Sequence, residues 1–371
     1  GATDLWRFYF ESWHQVGLGS SLATPPWVAI IAIASVVVLG KVQFFITLFF
    51  LIAPLLMMWS CFYLLKKLTS NTWISIPAAL LYALSPVALA SISSGHIATL
   101  VLLIAAPMVA LILHDWWSIE IYSWRKIFSV SLLFSLLYAF TLMSFIIALV
   151  AAIAISLDNY REFALTLDKK LFDERILKRS ALVFVPFFVN APYSFEALVN
   201  PSRFLTEPGL LIPGGGSLPV LLGNPGGTGS VPLWLVSPIL LILAISLFSS
   251  THARRIAEYG LGALTLAVFV GSLSISTHGN EGVAKVWTGP VLSIATLAAV
   301  AAGSVMLDSL RQTLVLSHVH YRHVLSAILL LITGFYAILA MGYSVTAGAD
   351  SAVQANRATV MPSFLSVEPD T

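Results

Sequence analysis

The sequence predicts an all-α polytopic membrane protein, and three observations carry that prediction. Residues 127–156 run for thirty positions without a single charge. About ten comparable apolar segments recur along the 371 residues, each near the 17 to 20 residues that a span of hydrocarbon requires. The chain is 58% hydrophobic and only 10% charged, with a mean hydropathy of +0.92. Such a composition makes the bilayer, not water, the main solvent. Closed helices are the expected element, because the segments lack the short alternating rhythm of a membrane barrel.

The segments fall at 25–40, 44–65, 73–91, 97–113, 127–156, 180–198, 232–248, 259–275, 288–306 and 324–343. They make 1–343 one multi-span helical domain, followed by a polar tail at 344–371. Positive charge gathers at Lys66 and Lys67, Arg125 and Lys126, Arg161 to Arg179, Arg254 and Arg255, and Arg311 with Arg322. Basic connections belong on the cytoplasmic side. That leaves the turn at His96, the connection from Asn200 to Val231, the stretch around His278 to Trp287 and the tail on the outside.

Basic loops flank 127–156 on both sides, which demands an even number of crossings. One helix of thirty residues would rise about 45 Å, well beyond one perpendicular pass. Two short helices broken near Tyr138 to Thr141 satisfy the charges, and a single tilted helix is the alternative. Pro25 and Pro26 open a short apolar piece that ends at Gly40. It reads either as a span or as a re-entrant or interfacial helix. Residues 157–180 mix Phe163, Leu171, Phe172 and Ile176 with Lys169, Lys170, Arg175, Lys178 and Arg179 at partly helical spacing. This reads as an amphipathic element on the cytoplasmic surface, serving as an anchor or as a docking surface for another domain.

The net charge of +2 gives no signal for nucleic acid. The single cysteine, Cys61, lies within an apolar segment and reads as a small buried hydrophobe. The chain opens at Gly1 without a signal peptide, as expected of an excerpt or processed form of a longer protein.

Chemistry-bearing residues concentrate on the expected outer side. The loop 199–231 holds five prolines from Pro201 to Pro225, with Pro232 just after it, and a Gly-Gly-Gly run at 214–216, so it reads as an ordered loop or a lid. Arg203 is its one cation, a candidate phosphate or carboxylate contact. Glu196 lies seven residues earlier at the end of an apolar span, either paired with Arg203 or contacting substrate. His96, after Gly95, is a candidate phosphate or proton contact, with helix capping as the other reading. Asp4, Arg7, Glu11 and His14 share one face if 4–14 is helical. Asp4 and Glu11 are then candidate general bases or metal ligands, with His14 and Trp13 candidates for substrate contact. A salt-bridged interfacial helix is the alternative. His318, His320 and His323 read as anchoring beside Arg322. No zinc-protease, CxxC, nucleophile-elbow, dinucleotide or aspartate-rich motif is present, and a divalent metal has no clear motif to hold it.

Four pieces carry a resemblance: DLWRFYFESWHQVGLGSSLATPPWVA, the span that ends in LLKKL, AALLYALSPVALASISSGHIATLVLL, and VNPSRFLTEPGLLIPGG. They resemble the membrane-spanning region of large actinobacterial envelope proteins of the family 2 glycosyltransferase type, over most of residues 1–343. In those proteins a cytoplasmic nucleotide-sugar domain precedes the spans, and its DXD-type motif has no counterpart in this chain. The plan is also similar to the GT-C type of glycosyltransferases that use polyprenyl-phosphate sugars, where an acidic residue of the first outer loop acts as base or metal ligand. The resemblance therefore implies a helical bundle in the plasma membrane, a polyprenyl-phosphate-linked sugar or other glycolipid as ligand, and a cytoplasmic glycosyltransferase domain in cis or in trans. Asp4 or Glu11 would match the acidic residue. The alternative is a translocation path or scaffold for that separate domain.

Overall fold

The computed structural model describes residues 1–11, 23–113, 116–166, 169–209, 217–226, 233–276, 283–315, 335–336, 338–343 and 345–346. Almost all of this is helix, and the sheet is one short antiparallel pair. The helices are α1 (Ala2–Phe10), α2 (Trp27–Ser35), α3 (Val42–Leu68), α4 (Thr72–Ala83), α5 (Pro86–Ser93), α6 (Ile97–Ile112) and α7 (Trp124–Phe140). They continue as α8 (Met143–Thr166), α9 (Lys169–Val189), α10 (Tyr193–Val199), α11 (Ser217–Leu221), α12 (Leu233–Ser246), α13 (Thr251–Ser272) and α14 (Gly289–Val315). Strands β1 (Ser274–Ser276) and β2 (Val283–Lys285) pair with Ile275 opposite Ala284.

Four helical stretches are long and apolar enough to cross a membrane: Val42–Leu68, Thr72–Ser93, Met143–Tyr160 and Gly289–Arg311. The pair Lys169–Val189 and Tyr193–Val199, bent by 97°, makes a fifth if counted as one span. The expected count of about ten is thus not reached among the described residues. Two further apolar helices, Trp27–Val38 and Ile97–Ile112, are short for the task. The final apolar segment, 324–343, lies mostly outside the described residues.

The break expected within 127–156 is present. α7 ends at Phe140, Thr141 is extended, and its hydroxyl oxygen accepts from the Met143 amide at 3.3 Å as α8 starts. The Pro25–Pro26 piece forms a helix that turns at Leu39 and Gly40, both at positive φ. Its twelve residues rise only about 18 Å, too little for a hydrocarbon core of about 30 Å. The Ala2 amide donates to the Gly40 carbonyl at 3.0 Å, which pins α1 beside that turn. Ile31 of α2 packs with Ile97, Ala98 and Phe140, so α1 and α2 belong to the end of the bundle that carries His96.

The stretch 157–180 departs from its expectation. It is divided between the end of α8 and the first half of α9, and three of its cations are buried rather than solvated. Arg175, Lys178 and Arg179 are 7%, 3% and 2% exposed. The Arg175 guanidinium donates twice to Glu120, at 2.8 Å each. The Lys178 ammonium donates to the carbonyls of Glu120 and Tyr122, and Arg179 donates to the Asn159 side chain. Buried cations survive when oxygens surround them, and the bonds of Arg175 and Lys178 to Glu120 tie the 3₁₀ turn Trp116–Ile121 to α9. On the same side of the fold, the Ser70 amide and hydroxyl donate to Asp308 near the end of α14. Asn71, Ser123 and Ser250 cap the helices that start at this basic end.

The core gathers around α14, which touches α3, α4, α5, α6, α8, α12 and α13. Small residues let the helices close in. A Cβ on Gly260 of α13 would lie 2.7 Å from Leu243 and 2.9 Å from Ala298. This is the small-residue packing that membrane helices use in the absence of a hydrophobic drive. Cys61 is fully buried among these helices.

Candidate functional site

The site lies at the end of the bundle opposite the basic loops. Ser85 opens α5 by accepting from the Ala88 amide, and Pro86 suits the first helical position, where no N–H is needed. α5 stops at Ser94. Gly95, at φ 73°, reverses the chain, and the His96 amide donates to the Ser91 carbonyl at 2.9 Å. That elbow places His96 just ahead of α6, with the residue held inside the fold.

Three distant segments converge on it. Glu207, after the 3₁₀ turn Pro201–Phe204, brings Oε1 within 2.8 Å of His96 Nδ1, and both side chains are almost fully buried. The approach is off the line that a hydrogen bond needs, so the two groups are in close polar contact without a formal bond. The Thr99 hydroxyl, one turn along α6, donates to the same Oε1 at 2.7 Å. The Trp287 indole N–H donates to Thr99 Oγ1 at 3.0 Å, and the indole stacks on His96 with ring centroids 3.7 Å apart.

Two glycines allow this density. A Cβ on Gly209 would sit 2.4 Å from His96 Nδ1, and one on Gly289 would sit 2.2 Å from Trp287 Nε1. The loop therefore crosses directly over the imidazole. Among the described residues, His96 Nε2, Glu207 Oε2, Ser94 Oγ and Thr288 Oγ1 are buried without a hydrogen-bond partner. Buried polar atoms are nearly always satisfied, and an orphan costs about 1–3 kcal/mol. Two of them, His96 Nε2 and Glu207 Oε2, lie on the facing pair itself and fit a polar group that completes the site. Chemically, a carboxylate against an imidazole is a pair that can hold or move a proton.

Glu196 and Arg203 form a second pair, 2.7 Å apart. Glu196 also accepts from the Ala23 amide with both carboxylate oxygens at 3.0 Å, and Arg203 lies over the Tyr193 ring at 5.4 Å. Thr24 bonds the Phe8 carbonyl at 3.5 Å, so this pair clamps the chain that leaves α1. The mutual-pairing reading of these two residues holds.

Asp4 accepts from the Gly1 nitrogen, and Arg7 donates to Glu11 at 2.8 Å along α1. The Asp4 side chain is 80% exposed. Among the described residues, no hydrogen bond or ion pair joins Asp4 or Glu11 to His96, Glu196, Arg203 or Glu207. Trp13, His14, the glycine run at 214–216 and the histidines at 318, 320 and 323 lie outside the described residues. No group of three His, Cys, Asp or Glu side chains positioned for a metal occurs among those described.

Sequence alone singles out His96 but passes over Glu207, Thr99 and Trp287. One signal was available: Glu207 is the one carboxylate of the proline- and glycine-rich loop 199–231. Comparison of the chain with family models, curated proteins and solved structures finds no match in any of the three.

Proposed function

We propose that this chain is the membrane region of a cell-envelope glycosyltransferase acting on a lipid-linked glycan in the plasma membrane. The observation that supports the reading is the buried His96–Glu207 pair with its unpartnered neighbouring atoms, at the end away from the basic loops. In outer-face transfer from a polyprenyl-phosphate sugar, an acceptor hydroxyl attacks the anomeric carbon. The carbon–oxygen bond to phosphate breaks, and the phosphate leaves with the electron pair. The acceptor proton passes to Glu207, which the Thr99 hydroxyl and the His96 ring hold in place. Asp4 and Glu11 are the acidic candidates that the sequence offers. Both face solvent with local partners, so the base role falls better to Glu207.

The test uses the full-length protein in lipid nanodiscs with a labelled polyprenyl-phosphate sugar and a lipid acceptor. E207Q and H96Q are compared with wild type for transfer and for its pH profile. Loss of transfer in folded variants, with a flattened pH profile, supports the reading. Wild-type transfer in both variants overturns it.

The depth of burial favours one other reading. His96 and Glu207 are 4% and 3% exposed, as in a brace that fastens the outer loop of a non-catalytic scaffold or translocation path serving a cytoplasmic glycosyltransferase domain. There the variants would lose thermal stability and keep transfer.

A further inference from the structure

We propose that the opposite, basic end of the bundle holds an anionic phospholipid, with one chain buried between helices and its phosphate held by His252 and Arg255. The observation is a cavity of about 540 Å³ lined by α3, α6, α7, α8, α13 and α14. This is separate from the His96–Glu207 site and does not depend on its function.

The cavity has the polarity of an amphiphile. Ser144 apart, its wall is hydrocarbon, and its charged lining is confined to the start of α13. There His252 and Arg255 join the rim, close to Leu68 at the end of α3 and Leu113 at the end of α6. Arg254 is engaged with Glu258 at 3.1 Å, whereas Arg255 has no ion-pair partner among the described residues. Charge at the mouth thus stands ready for an anion that comes with an apolar tail.

The depth fits as well. Along α6 the lining runs from Leu102 to Leu113, which at a helical rise spans about 16 Å. That is about half of a 30 Å hydrocarbon core, the reach of one leaflet's acyl chain. A volume of 540 Å³ lies inside the usual range for ligand pockets. A soluble anion would leave the apolar wall empty, and an uncharged lipid would leave Arg255 without a partner. An anionic lipid of the leaflet on the basic side satisfies both.

The experiment reconstitutes the full-length protein in phosphatidylcholine vesicles containing a minor share of labelled phosphatidylglycerol, extracts it gently and counts retained lipid. Wild type should hold phosphatidylglycerol in preference to phosphatidylcholine. R255Q should lower that retention about fivefold, as expected for loss of one cation at the membrane surface. A298F, which fills the cavity, should lower retention of either lipid, and R254Q should change nothing. If A298F unfolds, R255Q still decides the question, because the Arg255 side chain is exposed and its loss leaves the packing intact. Equal retention of the two lipids, retention unchanged in R255Q, or competition by inorganic phosphate alone would each overturn the proposal.

Discussion

The indole of Trp287 lies flat against the imidazole of His96, with the planes 6° apart and the centroids separated by 3.7 Å. The same indole N–H bonds Thr99, which in turn bonds the carboxylate that faces His96. Trp287 therefore fixes both the ring and the group that holds its partner. W287F keeps an aromatic surface but deletes the donor, and should cost about 1 kcal/mol. W287A removes the stack too, and should cost about 3 kcal/mol, at the low end for a large aromatic. Thermal unfolding of both variants in the same detergent checks this ordering. Equal losses would mean that the stack contributes nothing beyond the hydrogen bond.

Gly209 and Gly262 should respond to alanine in opposite directions. A methyl group on Gly209 would meet three atoms of the His96 ring, the nearest at 2.4 Å. Neither a stacked ring nor the backbone beside Pro208 can yield cheaply, so G209A should destabilise by about 1–3 kcal/mol. It should also lift the loop and raise its sensitivity to protease. On Gly262, inside α13, a methyl group would meet nothing within 4 Å. G262A should stabilise by about 0.5–1 kcal/mol, through the lower entropy of the unfolded chain. Limited proteolysis followed by unfolding curves reads both effects.

The helical class, the break at Thr141 and the Glu196–Arg203 pair were legible in the sequence because each rests on local signals. Apolar length, a charge-imposed parity and a seven-residue spacing were sufficient. The number of qualifying helices was less legible. A hydropathy run does not show that α6 stops after sixteen residues, nor that the piece after Pro26 turns back at Gly40. The cations at 175–179 read as a solvated face because amphipathic spacing does not distinguish water from the carbonyls of a neighbouring turn. The role of Glu207 was hidden for a related reason. Its partner Thr99 is 108 residues away, and only tertiary packing joins them.

Asp4 and Glu11 should matter little to the fold. Arg7 and Glu11 are an exposed pair four residues apart, the kind that contributes a few tenths of a kcal/mol at most and fades with salt. E11A should leave the unfolding midpoint unchanged at moderate ionic strength, and D4A should do the same. Transfer assays on these two variants beside E207Q would then separate an effect on chemistry from one on stability. Abolished transfer in D4A or E11A with intact E207Q would return the acid–base role to α1.

Glu120 supplies the acid sensitivity of the basic end. Burial pushes its carboxyl up, but the hydrogen bond and charge of Arg175, the local backbone and the charge of Arg179 outweigh that and hold it below the ordinary value of 4.5. A carboxylate with a lowered folded-state value binds fewer protons folded than unfolded. Its stabilising contribution is therefore complete above the ordinary range and disappears as pH falls through the lowered value. E120Q should remove that contribution at neutral pH and flatten the acid limb of the stability curve. It also leaves the Arg175 guanidinium, 9% exposed, without its counter-charge. The neutral-pH loss should reach about 3 kcal/mol, as for a buried pair broken on one side. In E120Q/R175M, where both charges are gone, most of that loss should return while the acid limb stays flat. A double variant as unstable as E120Q alone would show that the loss comes from the missing Glu120–Arg175 bonds and not from a stranded guanidinium.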